Sequence, residues 1–247
     1  MNGFKLLCIL CVLYFLFTCF SETKIHFLPK VKAHDKQQLS SKIHWIITEM
    51  TEHMNTKPGL PIVVYHCDPS LQSGHSGNPK SSDYEYFDDL SYYQSHFKKN
   101  PTTQDNREWN MTYGSGGTDS VPQTTICDAS LLCSLTNPKP ESVFVHEIAH
   151  TLWNRSFRHS SYYPHIKRQY QDYKQQLQDN CPKVYACHSL EEFFAVVSEV
   201  WFGSTKRKDT TKNIETPTRI QHNYPNLYTT LTKIYGPPKD LFHQLCE

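Results

Sequence analysis

Apolar residues along this chain gather in two dense helical blocks. Residues 143–153, Val-Phe-Val-His-Glu-Ile-Ala-His-Thr-Leu-Trp, are apolar on nearly every side, broken chiefly by His146, Glu147 and His150. Residues 190–202 form the second block, in which Glu192, Ala195, Val196 and Glu199 fall on one face at helical spacing. Helices so apolar all round are buried on most sides. Residues 31–54 read as an amphipathic helix: Leu39, Ile43, Ile46, Ile47 and Met50 share a face, and Asp35 is a candidate cap. Residues 164–178 predict a charged helix with the stripe Ile166, Tyr170, Tyr173 and Leu177, bridging the two dense blocks. Two short helices are expected at residues 227–234 and 239–245, around Gly236-Pro237-Pro238.

Strand signals are fewer. Residues 61–67 (Pro-Ile-Val-Val-Tyr-His-Cys) read as a buried strand, with His66 an ordinary hydrogen-bonded side chain. From Asp68 to Gly117 the chain is polar and rich in Ser, Asn, Pro and Gly, with five aromatics between Asp83 and Tyr93. This reads as a long loop lining a cleft. Gly114-Ser115-Gly116-Gly117 reads as a turn ahead of a second strand at residues 123–128. The fold class expected is α+β, mostly helical with a small mixed sheet.

The N-terminus changes the compartment. Lys5 precedes a nearly continuous apolar run over residues 6–20, and Cys19 and Ser21 are small residues suited to a cleavage site after Ser21. Residues 1–21 therefore predict a signal peptide, with the run too short to span a bilayer comfortably. The protein is expected to be secreted and extracellular, without stable membrane association after cleavage. About 226 residues remain, enough for one domain of ordinary core size. The formal net charge is +1 and no basic stripe occurs, so nothing calls for a nucleic-acid partner.

Cysteine usage agrees with export. Three of the nine cysteines lie in the signal, leaving Cys67, Cys127, Cys133, Cys181, Cys187 and Cys246. An even number in a secreted chain predicts disulfides. The pairing expected first is Cys127 with Cys133, Cys181 with Cys187, and Cys67 with Cys246. Two glycosylation sequons follow the signal, at Asn110 and Asn154, with Asn110 the better acceptor.

The chemistry sits in the first dense block. His146-Glu147-Ile148-Ala149-His150 is an H-E-x-x-H pattern. On a helix, i and i+4 share a face, so His146 and His150 can present two imidazole nitrogens to one Zn²⁺. Glu147 can reach a water there and serve as general base. Buried without partners, these polar groups would be costly, and a metal removes that cost. The third ligand is not the metzincin histidine: Trp153 and Ser156 stand where that pattern needs Gly and His. Glu192 on the second block is the candidate, with Glu199 able to orient a ligand histidine through its free ring N–H. The converse assignment, Glu199 as ligand and Glu192 as a first-turn charge, stays open at this point.

H-E-I-A-H, followed by Tyr185-x6-Glu192-Phe193-Phe194-Ala195, resembles the catalytic domain of anthrax lethal factor and the related bacterial Pro-Pro endopeptidases. The resemblance covers residues 142–202. It implies a zincin-like metallopeptidase domain with the active-site helix and the glutamate helix across a cleft. It implies Glu192 as the third zinc ligand and Tyr185 as the residue that polarises the scissile carbonyl. A Cys181–Cys187 disulfide would then pre-order Tyr185. A second zinc site on Cys181, Cys187 and His188 is the competing use of those cysteines. Zincins also commonly carry an edge strand before the metal helix, where substrate adds as another strand, and residues 123–128 have the right position.

The sequence thus predicts three parts: a signal peptide at 1–21, an N-terminal helical segment at 22–60 that is packed on the domain or removed as a prosegment, and a zincin-like catalytic domain at 61–247. The expected protein is a secreted zinc endopeptidase acting on peptide or protein substrates. Metal ligands are His146, His150 and Glu192 for one Zn²⁺, and catalytic groups are Glu147 and Tyr185. The competing class is a secreted zinc-containing binding protein without catalysis.

Overall fold

Strand β1 (Ile25–Phe27) pairs in parallel with β2 (Ile62–Tyr65), setting Ile25 opposite Ile62 and Phe27 opposite Val64. Parallel neighbours need a crossover, and helix α1 (Ala33–Thr51) supplies it. The computed structural model describes residues 23–54, 59–72, 79–81, 114–117, 124–127, 143–205 and 211–241. The buried face of α1 is the expected one, Leu39, Ile43, Ile46, Ile47 and Met50. Each such side chain contributes about 1.5–3 kcal/mol on burial. Asp35 does not cap the helix. Lys32 holds the cap position, and Asp35 sits in the first turn, where a negative charge suits the helix dipole.

Two strands lie in the stretch expected to be irregular. β3 (Cys67–Gln72) and β4 (Pro79–Ser81) pair antiparallel. The glycine-rich segment is more than a turn: Gly114–Ser115 is a strand, β5, antiparallel to β6 (Thr124–Cys127). The main sheet runs β1-β2-β6-β5, with β2 and β6 parallel and all four residues of each buried. Strands covered on both faces read as short apolar runs rather than alternation. β6 has a neighbour on either side, so it is an interior strand and not the sheet edge expected for it. A two-residue strand held by backbone pairing leaves no side-chain period to read.

The helical half follows. α2 (Val143–Leu152) runs into a π-turn, Trp153–Phe157, closed by the Arg158 N–H donating to the Trp153 carbonyl at 2.9 Å. Next come α3 (Tyr163–Leu177) and two 3-10 turns, Gln178–Lys183 and Tyr185–Cys187. Helices α4 (Leu190–Trp201), α5 (Pro217–Asn223) and α6 (Pro225–Tyr235) complete the described chain. α5 is a helix beyond those expected from the sequence. Its start was legible as Thr216-Pro217: the Thr216 hydroxyl accepts the Arg219 N–H at 3.1 Å, and Pro217 occupies the first turn. Lys239 and Asp240 are not helical, and residues 242–247 of the last expected helix lie outside the described residues.

One core joins these parts. Trp153 and Phe157 stack on Phe194 at ring separations of 5.1 and 5.2 Å, and α1 contributes to the same cluster. Lys239 ties the far end of the chain to α1, its ammonium 2.6 Å from both Glu49 and Glu52. The architecture is mostly helical with a small sheet, compatible with α+β. Cys181 and Cys187 form the expected disulfide. Cys127 is also disulfide-bonded. Its partner, the remaining pairing among Cys67, Cys133 and Cys246, the signal and Asn110 all lie outside the described residues or side chains. Among the described residues no helix is long and apolar enough to cross a membrane.

Candidate metal centre

Helical spacing carries His146 and His150 to one face of α2, and α4 packs across from it. The approach is close because small residues stand on each side: Ala149 and Ala195 are both fully buried. Glu192 lies in the first turn of α4, fixed by Ser189, whose hydroxyl accepts the Glu192 N–H at 3.1 Å. Three donor atoms converge. His146 Nε2 lies 3.0 Å from Glu192 Oε2 and 3.0 Å from His150 Nε2, and His150 Nε2 lies 3.3 Å from the same oxygen. Ligands bonded at about 2 Å to a tetrahedral ion stand roughly 3.3 Å apart. The triangle therefore fits a metal, and among the described residues it is the one His/Cys/Asp/Glu group that could hold one.

Glu199, the alternative candidate, stands outside this triangle. Its Oε1 is 3.1 Å from His146 Nδ1, on the far side of the ring from the cluster. It lies two helical turns beyond Glu192 and is 3 % exposed. Such a partner fixes the imidazole tautomer and frees Nε2 as a lone-pair donor.

The electrostatics are those of a charged cluster set into a core. Burial opposes charge on His146, but Glu199 and Glu192 outweigh it and hold the imidazole well above its ordinary value. Burial likewise opposes charge on His150, which Glu192 raises. Burial works against the Glu192 carboxylate too, yet His150 and His146 keep it well below the usual range. Glu147 goes the other way: burial pushes it up, and the two histidines and a hydrogen bond from the Gly116 N–H offset this only in part. A raised carboxyl is suited to exchanging protons nearer neutrality.

Tyr185 opens the second 3-10 turn, inside the ring closed by Cys181 and Cys187. Its ring centre is 6.0 Å from that of His146 and 5.1 Å from that of His188. The Tyr170 hydroxyl holds the turn by donating to the Cys187 carbonyl at 2.8 Å. The disulfide removes both thiols from metal binding, so the competing site on Cys181, Cys187 and His188 is excluded. Arg155, by contrast, donates to the Gly59 carbonyl at 2.6 Å, and Arg158, His159 and His165 are exposed.

The structure thus gathers His146, His150 and Glu192 around one point, with Glu147 beside them and the Tyr185 ring next to that of His146. It adds residues not assigned to this site from the sequence: Gly116 against Glu147, and Thr151 and Asn154 behind the glycine strand. One signal could have found the last two. Glu147, Thr151 and Asn154 stand at i, i+4 and i+7, a single helix face.

An H-E-x-x-H helix completed by a glutamate from a second helix defines a metallopeptidase type of site. The family model of glucose-regulated metallo-peptidase M90 matches residues 18–236, and the chain belongs to that family. It is a metallopeptidase, a hydrolase of peptide or protein substrates. The match reaches well beyond residues 142–202, where the motif resemblance to lethal factor ends, and takes in α1 and the whole sheet. No curated protein and no solved structure matches the chain.

Proposed function

We propose that this protein is a secreted zinc endopeptidase of zincin-like architecture, with His146, His150 and Glu192 holding the metal. The observation that carries the reading is the convergence of the three donor atoms beside Glu147. Two imidazoles and one carboxylate are one of the ligand sets of catalytic zinc, which keeps a further position open. Zinc bound there supplies Lewis acidity, making water a nucleophile near neutral pH and polarising a carbonyl. Glu147 takes the proton from the attacking water and returns one to the leaving amine. Tyr185 donates its phenolic O–H to the developing oxyanion. His146 is kept in register by Glu199, and Tyr185 by the disulfide ring and Tyr170.

Substrate enters as an extended strand. The sheet edge beside the site is β5 rather than β6, and the proposed peptide adds there by backbone hydrogen bonds. The signal-like leader and the disulfides support an oxidising, extracellular destination. Residues 22–60 are read as part of the folded domain and not as a removable segment.

The test is metal-dependent cleavage. The purified protein should contain one zinc per chain and cut members of a mixed peptide library at internal bonds. Chelation should abolish cleavage and added zinc restore it. Cleavage undiminished in metal-free protein would refute the proposal.

A further inference from the structure

Asn154 stands in the sequon Asn154-Arg155-Ser156, yet its side chain points into the protein and is 9 % exposed. Its amide Nδ2 donates to the Gly117 carbonyl at 2.9 Å and to the His150 carbonyl at 3.1 Å. Both donors of an Asn amide are thereby used, and an oligosaccharide linked there would have no route to solvent. One turn earlier, the Thr151 hydroxyl accepts the Gly117 N–H at 2.7 Å and donates to the Glu147 carbonyl at 3.1 Å. The Thr124 hydroxyl on β6 lies 2.5 Å from it.

Both backbone polar groups of Gly117 are thus held by side chains of one helix face. The preceding peptide then meets the site: the Gly116 N–H donates to the Glu147 carboxylate. The approach is so close that a Cβ on Gly116 would lie 2.3 Å from His150 Cβ and 2.9 Å from the Glu147 carbonyl. Glycine is required there for the room it leaves.

We propose that Thr151 and Asn154 are positioning residues: they moor the Gly116-Gly117 peptide on the metal helix so that the Gly116 N–H orients the Glu147 carboxylate, and Asn154 carries no glycan. The proposal rests on the reading of Glu147 as the group that moves the proton. A carboxylate displaced by about 1 Å can lose on the order of a hundredfold in rate, so the mooring acts on turnover more than on binding.

The experiment compares full-length wild type with Asn154→Asp, Thr151→Val, Thr151→Ser and Ser156→Ala. Asn154→Asp keeps the shape but sets an acceptor against two carbonyls. Thr151→Val keeps the volume and removes the hydroxyl. In both, kcat should fall tenfold or more with KM within threefold and zinc content unchanged, and hydrogen exchange over residues 114–117 should quicken at least tenfold. Thr151→Ser should recover most of what Thr151→Val loses. Ser156→Ala destroys the sequon while leaving Asn154 in place, and should show no glycan-sized mass difference after expression through a eukaryotic secretory route. Wild-type kcat in folded Asn154→Asp and Thr151→Val would overturn the proposal. So would rapid exchange of residues 114–117 in the wild type, or a glycan lost on Ser156→Ala, and neither measurement needs a variant at Thr151 or Asn154 to fold. If the wild type cleaves nothing, the peptidase reading fails, while exchange and mass still decide whether the mooring exists.

Discussion

Glu199 and His146 face each other at 3.1 Å, the carboxylate on Nδ1 while Nε2 points at Glu192. The pair joins the last turn of α4 to the metal helix, so the His146 imidazole is oriented before any metal arrives. Replacing Glu199 by Ala should weaken zinc affinity by roughly 10- to 100-fold, the usual cost of losing a carboxylate behind a ligand histidine. Gln, which can still accept the Nδ1 proton, should lose less. Competition with a chromogenic chelator measures both, and unchanged affinity in Glu199→Ala would remove the role assigned to this residue.

Protons and metal compete for the same nitrogens. Burial opposes the charged imidazoles, but Glu199 and Glu192 raise His146, and Glu192 raises His150. Glu192 is itself held low by His150 and His146 against the effect of burial. A histidine raised on folding adds stability below its ordinary pKa of about 6.5 and loses that contribution as pH climbs through the folded value. A lowered carboxylate adds stability above its ordinary pKa and loses it as pH falls through the folded value. The metal-free protein is therefore helped most between these limits, and its thermal stability should decline as pH rises above about 6.5. Zinc must displace the protons. Calorimetry at pH 7 in buffers of different ionisation enthalpy should show net proton release on zinc binding, and its absence would contradict the assigned protonation.

Much of this site was legible because its chemistry lies on two helices with strong apolar surroundings. His146, Glu147, His150 and Glu192 each sit at a position fixed by helical period, and α4 and α2 form where that period predicts. The glycine strand was not legible. Gly114–Ser115 is joined to β6 through backbone groups, and Gly116 acts through its N–H, none of which leaves a mark in the side-chain pattern. The same omission made residues 123–128 look like an edge. The burial of Asn154 was hidden for a different reason: a sequon is a local signal, whereas the amide of Asn154 is held by Gly117, 37 residues earlier in the chain. Tyr185 was placed by a motif resemblance, and the Cys181–Cys187 ring by regular cysteine spacing.

The N-terminal segment should prove indispensable. β1 pairs with β2, and Leu39, Ile43 and Met50 of α1 are fully buried in the common core. Losing several such side chains, at about 1.5–3 kcal/mol each, is comparable to the whole stability of an ordinary domain. Deletion of residues 22–60 should give an insoluble or unfolded product by circular dichroism. A folded, active truncated chain would restore the reading of this segment as a removable prosegment.

In the proposed reaction Glu147 moves the proton while His146, His150 and Glu192 hold the metal. The most direct measurement sets wild type beside Glu147→Gln, with zinc content and peptide cleavage determined on the same preparations. Both proteins should hold one zinc per chain, and Glu147→Gln should cleave slower than the wild type by several orders of magnitude. Full cleavage by Glu147→Gln would contradict the assignment of the base. Zinc in both with cleavage by neither would contradict the peptidase reading and favour a secreted zinc-binding protein instead.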